Sequence, residues 1–453
     1  MKVAKFGGTS MASAAQFKKV YDIIKADGDR KVIVVSAPGK RYKEDTKVTD
    51  LLIAVADQFL ATGNADEELN RVIARYQEIA DDLELGPAVM ERISGDLHAL
   101  LTQDATDSAR FLDAVKAAGE DNSAKLFAAF LQSQGEDAHY VNPRKAGLLV
   151  SDEPANAQVL PEAYERLNAS LRGRSGITIF PGFFGFSQEG VLVTFSRGGS
   201  DITGSILAAA VKADLYENFT DVDSVFSVNP NLVNNPKDIK EITYREMREL
   251  SYAGFSVFHE DALLPAYMGR IPVCIKNTNN PSAPGTMVTL ERHTVAETVV
   301  GIASDGGFCS IYMSKYLMNR EIGFGRRVLQ ILEEEGLSYE HTPSGIDNIS
   351  VILRDKNFDE EKEQRITDRI KNELQVDDFA IERDLALVMI VGEGMRRSVG
   401  VSARATAALA RADVNIEMIN QGSSEVSMMF GVKAYDADRA VIALYEEFFG
   451  ESK

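Results

Sequence analysis

Two glycine turns constrain what this chain can fold into. Gly7-Gly8 closes an apolar run over residues 3–6, and Gly198-Gly199 follows another over 191–195; helical spacing resumes after each. Strands that stop at a glycine turn and continue as helices build a parallel sheet flanked by helices. Such a sheet gathers its strand C-termini along one edge, so two turns far apart in sequence can meet there. At the first turn, Lys5 brings a cation, Thr9 and Ser10 bring hydroxyls, and the following segment carries Phe17, Val20, Tyr21 and Ile24 on one helical face. Glycines admit a ligand close to the backbone, and a helix start offers unpaired N–H groups to an anion. The P-loop pattern G-x-x-x-x-G-K-[ST] is absent here, and a capped strand-to-helix turn explains these ten residues equally well.

Strand-like runs and amphipathic helices alternate over about the first 290 residues. A second buried strand, 31–35, ends in Ser36-Ala37-Pro38-Gly39, and a charged stretch leads to a helix opened by Thr49-Asp50. Helical sequence dominates residues 50–134, with breaks expected near Gly95 and Gly119. Further strands are expected at 138–141, 148–150, 177–184 and 191–195, with Gln188-Glu189-Gly190 as a hairpin turn. Residues 281–298 read as a closing strand and linker. The tail is organised differently. Two segments about 75 residues apart share a strand, helix, strand, strand order, beginning at 307–312 and 386–391, with helices at 325–335 and 398–411. Each helix is expected to precede a short strand carrying Glu, at 337–340 and 414–417. A duplicated small α/β module of this kind often binds a small molecule or pairs with itself.

Charge and cysteine usage narrow the class. With 68 acidic and 49 basic residues the net charge is −19, which disfavours nucleic acid and anionic membrane as partners. Cys274 and Cys309 sit alone in apolar runs, without metal-ligand spacing and without a disulfide framework. No apolar run reaches the ~18 residues of a membrane span, and the N-terminus has no signal-peptide pattern. A cytoplasmic protein is the expectation.

The motif SRGGSD (196–201) extends the chemistry of the first turn. Ser200-Asp201 is placed to cap the next helix, which is its structural explanation. Functionally, Arg197 offers a planar fork to a carboxylate or phosphate, and Asp201 could hold a phosphate-binding lysine or help order Mg²⁺. TDVDSVF (220–226) places a hydroxyl, a carboxylate and an aromatic at a strand end, where a nucleotide could lie.

Taken together, KFGGTS, VVSAPGK, the Thr49-Asp50-Leu51-Leu52 helix start, Gly119-Glu120, SRGGSD, TDVDSVF and PSAPGT resemble the aspartate kinase branch of the amino-acid kinase family, in order and spacing. The segment VGEGMRRSVGVSARATAALARADVNIEMINQGSSE (391–425) resembles that family's ACT domains. The resemblance covers nearly the whole chain. It implies an α/β, three-layer αβα sandwich with a mostly parallel sheet over 1–295. Two ferredoxin-like βαββαβ ACT units are implied over 300–383 and 384–453. The implied activity is transfer of the ATP γ-phosphoryl, with Mg²⁺, to the β-carboxylate of L-aspartate, opening the route to lysine, threonine and methionine.

By the same resemblance Lys5 and Asp201 are the catalytic pair, and Thr49, Glu120, Arg197 and Ser200 bind the substrate. Lys5, Gly7, Gly8, Ser10, Thr220, Asp221 and Phe226 bind ATP, and no residue is assigned directly to metal. Two departures bear on the nucleotide: Ser227-Val228-Asn229-Pro230-Asn231 stands where T-D-P-R is common, and Ser256 precedes Val257-Phe258-His259 in place of lysine. Lys276 or Lys237 could compensate. The ACT pair implies a homodimer and feedback by a free amino acid, with Met318, Glu321, Gly325, Glu340 and Ser344 as the effector set. An acid near the ligand ammonium suits lysine first and threonine second. The alternatives are a glutamate or N-acetylglutamate kinase, which would lack the duplicated tail, and a non-catalytic amino-acid sensor, which would have no reason to keep Lys5, Arg197 and Asp201 together.

Overall fold

The computed structural model describes residues 1–450 except 197, 256–257, 259, 293–296 and 423–425. The chain divides into two compact units. Residues 1–225, 238–248 and 256–292 form the first; residues 226–237, 249–255 and 293–453 form the second.

In the first unit the elements run β1 (Lys2–Phe6), α1 (Ala14–Lys25), β2 (Arg30–Val35), α2 (Val48–Thr62), α3 (Asp66–Asp82), α4 (Pro87–Leu100) and α5 (Ser108–Ser133). There follow β3 (Ala138–Tyr140), α6 (Pro143–Ala146), α7 (Pro161–Leu171), β4 (Ile177–Pro181), β5 (Phe184–Phe186), β6 (Leu192–Thr194), α8 (Gly199–Val211) and β7 (Leu215–Thr220). The two-residue strands β8 (Val225–Phe226) and β9 (Asp238–Ile239) lead to β10 (Glu241–Thr243), α9 (Tyr244–Tyr252), α10 (Glu260–Gly269), β11 (Val273–Asn277) and β12 (Thr286–Thr289), with Phe226 of β8 and residues 249–252 of α9 counted in the second unit. The eight-stranded sheet has the order β10-β12-β11-β7-β1-β2-β4-β3 and is parallel except where β12 meets β11. Alternation along β1 sorts its two faces. Phe6 joins the apolar cluster of α1 to α5, whereas Lys5 points the other way, to the start of α8. Helices therefore cover both faces, as an all-round apolar parallel sheet requires.

Several local expectations are corrected. Helix α4 runs through Gly95 and α5 through Gly119; the breaks fall at 63–65, 83–86 and 101–107. Gly119 is a packing residue, because a Cβ there would stand 2.9 Å from the Ala37 Cβ. Residues 148–150 make only isolated bridges, and 177–184 is interrupted at Gly182-Phe183. At the first glycine turn, Gly8–Met11 forms a 3-10 turn and the helix opens later, capped by Ser13. Helix α8 is capped by Gly198 (φ 79°), which leaves Ser200 and Asp201 inside its first turn.

The second unit carries a five-stranded antiparallel sheet, β14-β13-β15-β17-β16, built from β13 (Gly301–Ser314), β14 (Asn348–Arg354), β15 (Asp378–Val391), β16 (Met418–Asn420) and β17 (Ser427–Lys433). Its helices are α11 (Phe324–Glu334), α12 (Glu360–Arg369), α13 (Val401–Arg411) and α14 (Ala437–Phe449). A register shift between Asp305 and Phe308 divides β13. Its second half pairs with β14 and builds one core with α11 and α12. Ile302, in its first half, packs in the other core, with α13 and α14. The second module thus takes a strand from the chain preceding the first. The two Glu-bearing segments are not strands over 337–340 and 414–417, yet Glu340 and Glu417 donate their N–H groups equivalently, to Ile352 and Gly431.

Candidate active site

The C-terminal edge of the parallel sheet brings the two glycine turns to one place. Phe6 and Val35 end β1 and β2, Phe219 is the last but one residue of the neighbouring β7, and their carbonyls accept from Ser36, Gly182 and Gly7 respectively. The Gly7 N–H is therefore already engaged. Gly8 instead meets the turn that follows β2: Gly39 donates to its carbonyl at 2.7 Å, and a Cβ on Gly39 would lie 2.5 Å from the Gly8 carbonyl carbon. Arg75, almost fully buried on α3, fastens this contact by donating to Ala12 and Gly39 carbonyls. Asp45, in the charged insert, pairs with Arg41 at 2.8 Å and Arg75 at 3.4 Å. Those two guanidinium groups, Arg41 first, hold its carboxyl well below the usual range. Gly39→Ala, which forces backbone against backbone, is expected to destabilise the fold by about 1–3 kcal/mol and weaken ATP binding. A thermal melt and the ATP KM check it.

A cavity of about 430 Å³ opens at this edge. Of the residues expected from sequence, Lys5, Thr49, Glu120, Ser200 and Asp201 line it together. Lys5 Nζ lies 2.5 Å from Asp201 Oδ1, and the Asn218 amide donates to the same oxygen at 2.9 Å. Asp201 reaches this position from the first turn of α8, where an acid is favoured by the helix dipole. Glu120 comes from α5 in the opposite layer. It is 6% exposed, its Oε2 has no hydrogen-bond partner among the described residues, and burial pushes its pKa up to about 7. N–H groups of Ala37 and Glu120 itself, then the charges of Lys5 and Lys116, oppose that rise. A half-satisfied buried carboxylate facing a cavity is suited to a cationic ligand group.

Arg197 lies outside the described residues, as do Ser256, Val257 and His259. Gly7, Gly8, Ser10, Thr220 and Asp221 do not line the cavity but stand along the same sheet edge. The Ser10 hydroxyl is buried against Thr278 at 2.7 Å, and Thr220 donates to Asp221 at 3.2 Å. Phe226 belongs to the second unit, where Lys237 is also paired with Glu297. Sequence reasoning missed Lys116, Ser36 and Phe183, which also line the cavity. Lys116 was detectable, since it lies one helical turn before Glu120 and shares its face. Phe183 was not: its φ of 79° arises where β4 turns against the start of α8.

In the second unit, Met318 is buried, with the Leu317 N–H donating to the Asp347 carboxylate and the Asn319 N–H to the Ile346 carbonyl, while Ser344 bridges to Ile349. Glu321 is paired with Lys315 at 2.7 Å and with Arg327, which together hold its carboxyl below the usual range. Its charge is thus matched within the module. Gly325 faces open space, and Glu340 pairs with Arg354 and Tyr252.

A cation–acid pair at a glycine-lined sheet edge, beside a buried carboxylate, serves phosphoryl transfer to a small amino acid. In agreement, a model of the amino acid kinase family matches residues 1–277, and a model of the ACT domain matches 388–448. Aspartokinase 3 of Bacillus subtilis is 63% identical over 449 residues, 99% of each chain. The crystal structure of Clostridium acetobutylicum aspartate kinase matches with a TM-score of 0.85 at 37% identity, covering 99% of this chain and 100% of that one. Escherichia coli aspartokinase III matches at 26% identity, with TM-scores of 0.81 in complex with aspartate and ADP (R-state) and 0.76 with lysine and aspartate (T-state); each covers 99% of this chain, and 100% and 99% of theirs. The chain belongs to the aspartokinases. No helix among the described residues is long and apolar enough to cross a membrane.

Proposed function

We propose that this chain transfers the γ-phosphoryl of ATP to the β-carboxylate of L-aspartate, giving 4-phospho-L-aspartate and ADP, the step that opens lysine, threonine and methionine synthesis. The observation that carries the reading is the Lys5–Asp201 pair facing the buried, half-satisfied Glu120 across one cavity. The nucleophile is already a carboxylate, so a substrate oxygen attacks phosphorus while the β–γ bridging bond breaks, and no base is needed. What remains for the protein is alignment and charge neutralisation. Lys5 spreads positive charge onto the phosphoryl in flight, and Asp201 fixes the position of Lys5. Glu120 accepts the substrate ammonium, Thr49 and Ser200 donate to its carboxylates, and Arg197 clamps the α-carboxylate. Gly7, Gly8, Ser10, Thr220, Asp221 and Phe226 make up the nucleotide side.

Among the described residues no three His, Cys, Asp or Glu side chains are grouped to hold a metal. Mg²⁺ would therefore draw its oxygens mainly from phosphate and water, with Asp201 as the protein acid at hand; bound there, it neutralises phosphate charge.

The catalytic region is assigned to 1–295 and the regulatory units to 300–383 and 384–453, with 301–305 contributing a strand to the latter. We infer a cytoplasmic homodimer joined through the ACT units. Its effector is a free amino acid at Met318, Glu321, Gly325, Glu340 and Ser344, lysine first and threonine second. The lysine complex of the Escherichia coli relative supports that order; the pairing of Glu321 with Lys315 and Arg327 means that a lysine ammonium would have to displace one of them. An ADP-release assay comparing L-aspartate, L-glutamate and N-acetyl-L-glutamate tests the substrate. Turnover with aspartate alone is expected, a preference for glutamate overturns the reading, and repeating the assay with lysine, threonine or both identifies the effector.

A further inference from the structure

We propose that Lys116 is a second cation for the substrate α-carboxylate, acting with Glu120 as a two-charge receptor for the zwitterionic head of the amino acid, and that Asp113 is the residue that positions it. The inference rests on the aspartate reading above. Lys116 and Glu120 are i and i+4 on α5, about 5–6 Å apart at Cβ, and both line the cavity. An α-amino acid presents an ammonium and a carboxylate on neighbouring atoms, so opposite charges one helical turn apart match its head group.

The surroundings of Lys116 explain why its charge is available to the cavity. Asp113 lies one turn earlier on α5 and is 1% exposed. Its carboxylate accepts from the Thr194 N–H at 2.8 Å, the Thr194 hydroxyl at 2.7 Å and the Ala155 N–H at 2.9 Å. Lys116 Nζ approaches it at 3.4 Å, longer than any of these. With three short donors already satisfying the carboxylate, the ammonium is tethered without being consumed. On its other side Lys116 Nζ stands 5.7 Å from the centre of the Phe183 ring, a cavity-lining aromatic. That contact holds the chain by its cation–π attraction and gives it no acceptor.

The same carboxylate ties three parts of the cavity together. Ala155 lines the cavity, Thr194 ends the strand that runs directly into Phe195 and Ser196, and α5 carries Lys116 and Glu120. Asp113 thus fixes where the substrate head can sit without touching it.

Steady-state kinetics with aspartate and ATP varied separately test the assignment. Lys116→Met is expected to raise the aspartate KM roughly 10- to 100-fold, the scale of a hydrogen bond to a charged group, with the ATP KM unchanged. Lys116→Arg should recover most of the loss. Asp113→Asn, which keeps the shape but removes the tethering charge, should raise the aspartate KM by a smaller factor. β-Alanine, which is aspartate without its α-carboxylate, separates contact from general disruption: as a competitive inhibitor it should bind Lys116→Met as well as wild type. If the methionine variant does not fold, Lys116→Gln carries the same expectations. An aspartate KM within about twofold of wild type, or β-alanine weakened as much as aspartate, overturns the proposal. A wild-type enzyme that ignores aspartate overturns the underlying reading and this inference with it, whereas an aspartate-using wild type beside an unaffected Lys116→Met overturns the inference alone.

Discussion

Lys5→Met is expected to lower kcat by roughly 10²–10³-fold while leaving the aspartate KM within a fewfold of wild type, because its charge acts on the phosphoryl group chiefly in the transition state. The geometry makes this residue hard to replace. Lys5 sits on the central strand β1 between β2 and β7, with its side chain 8% exposed and its ammonium on Asp201. The adjacent strand positions, Val34 and Asn218, carry no cation. Removing the cation also leaves the Asp201 carboxylate with the Asn218 amide as its remaining described partner, so the melting temperature should fall as well. Asp201→Asn should lower kcat through the same defect, a mispositioned Lys5. The double variant should then be little worse than the worse single one, since the pair acts as a unit. Rapid-quench measurement of the phosphoryl-transfer step checks the claim: a Lys5→Met enzyme with an unchanged rate constant excludes Lys5 from the chemistry.

The parallel sheet and its edge were legible because β-strand alternation and glycine turns are local signals. The run 3–6 and the turn after it needed no tertiary information, and Lys5 opposite Phe6 already implied two different faces. Helix boundaries read from glycines failed where glycine served packing. Gly119 lies mid-helix so that α5 can approach Ala37, and nothing local distinguishes that from a break. Caps failed for a related reason, since Gly198 in a left-handed conformation takes the place that Ser200-Asp201 would have filled. The tail was read as two successive modules because sequence order was the guide. Its sheet instead splits β13 between two cores, a non-local pairing that only the register reveals. Charge compensation was equally invisible: in sequence Glu321 suited a ligand contact or a plain surface charge, and its pairing with Lys315 and Arg327 shows only in the fold.

The aspartate affinity of the wild-type enzyme is expected to fall as pH drops below about 7, and Glu120 is the reason. Burial disfavours its charged form and raises its pKa to about 7 in the free protein. An ammonium is bound by the ionised carboxylate, so each pH unit below that value should cost up to tenfold in kcat/KM for aspartate, a parameter that reports the free enzyme. The sign for stability is the reverse of the usual carboxylate case. A folded pKa above the unfolded value of about 4.5 means that the native state holds the proton more tightly. The cost of burying the charge is therefore absent at low pH, grows between about 4.5 and 7, and is fully present above. It amounts to the order of 3 kcal/mol at pH 8, offset when substrate supplies the missing partner for Oε2. Glu120→Gln should consequently raise the aspartate KM by roughly 10²-fold, the scale of breaking a buried charge pair, and abolish the acidic limb. The ATP KM should be little changed, because the nucleotide side draws on other residues. Calorimetric titration of aspartate from pH 5.5 to 8.5 decides the matter: an affinity that does not vary across that range would remove Glu120 from the ammonium site, whatever the size of the Glu120→Gln defect.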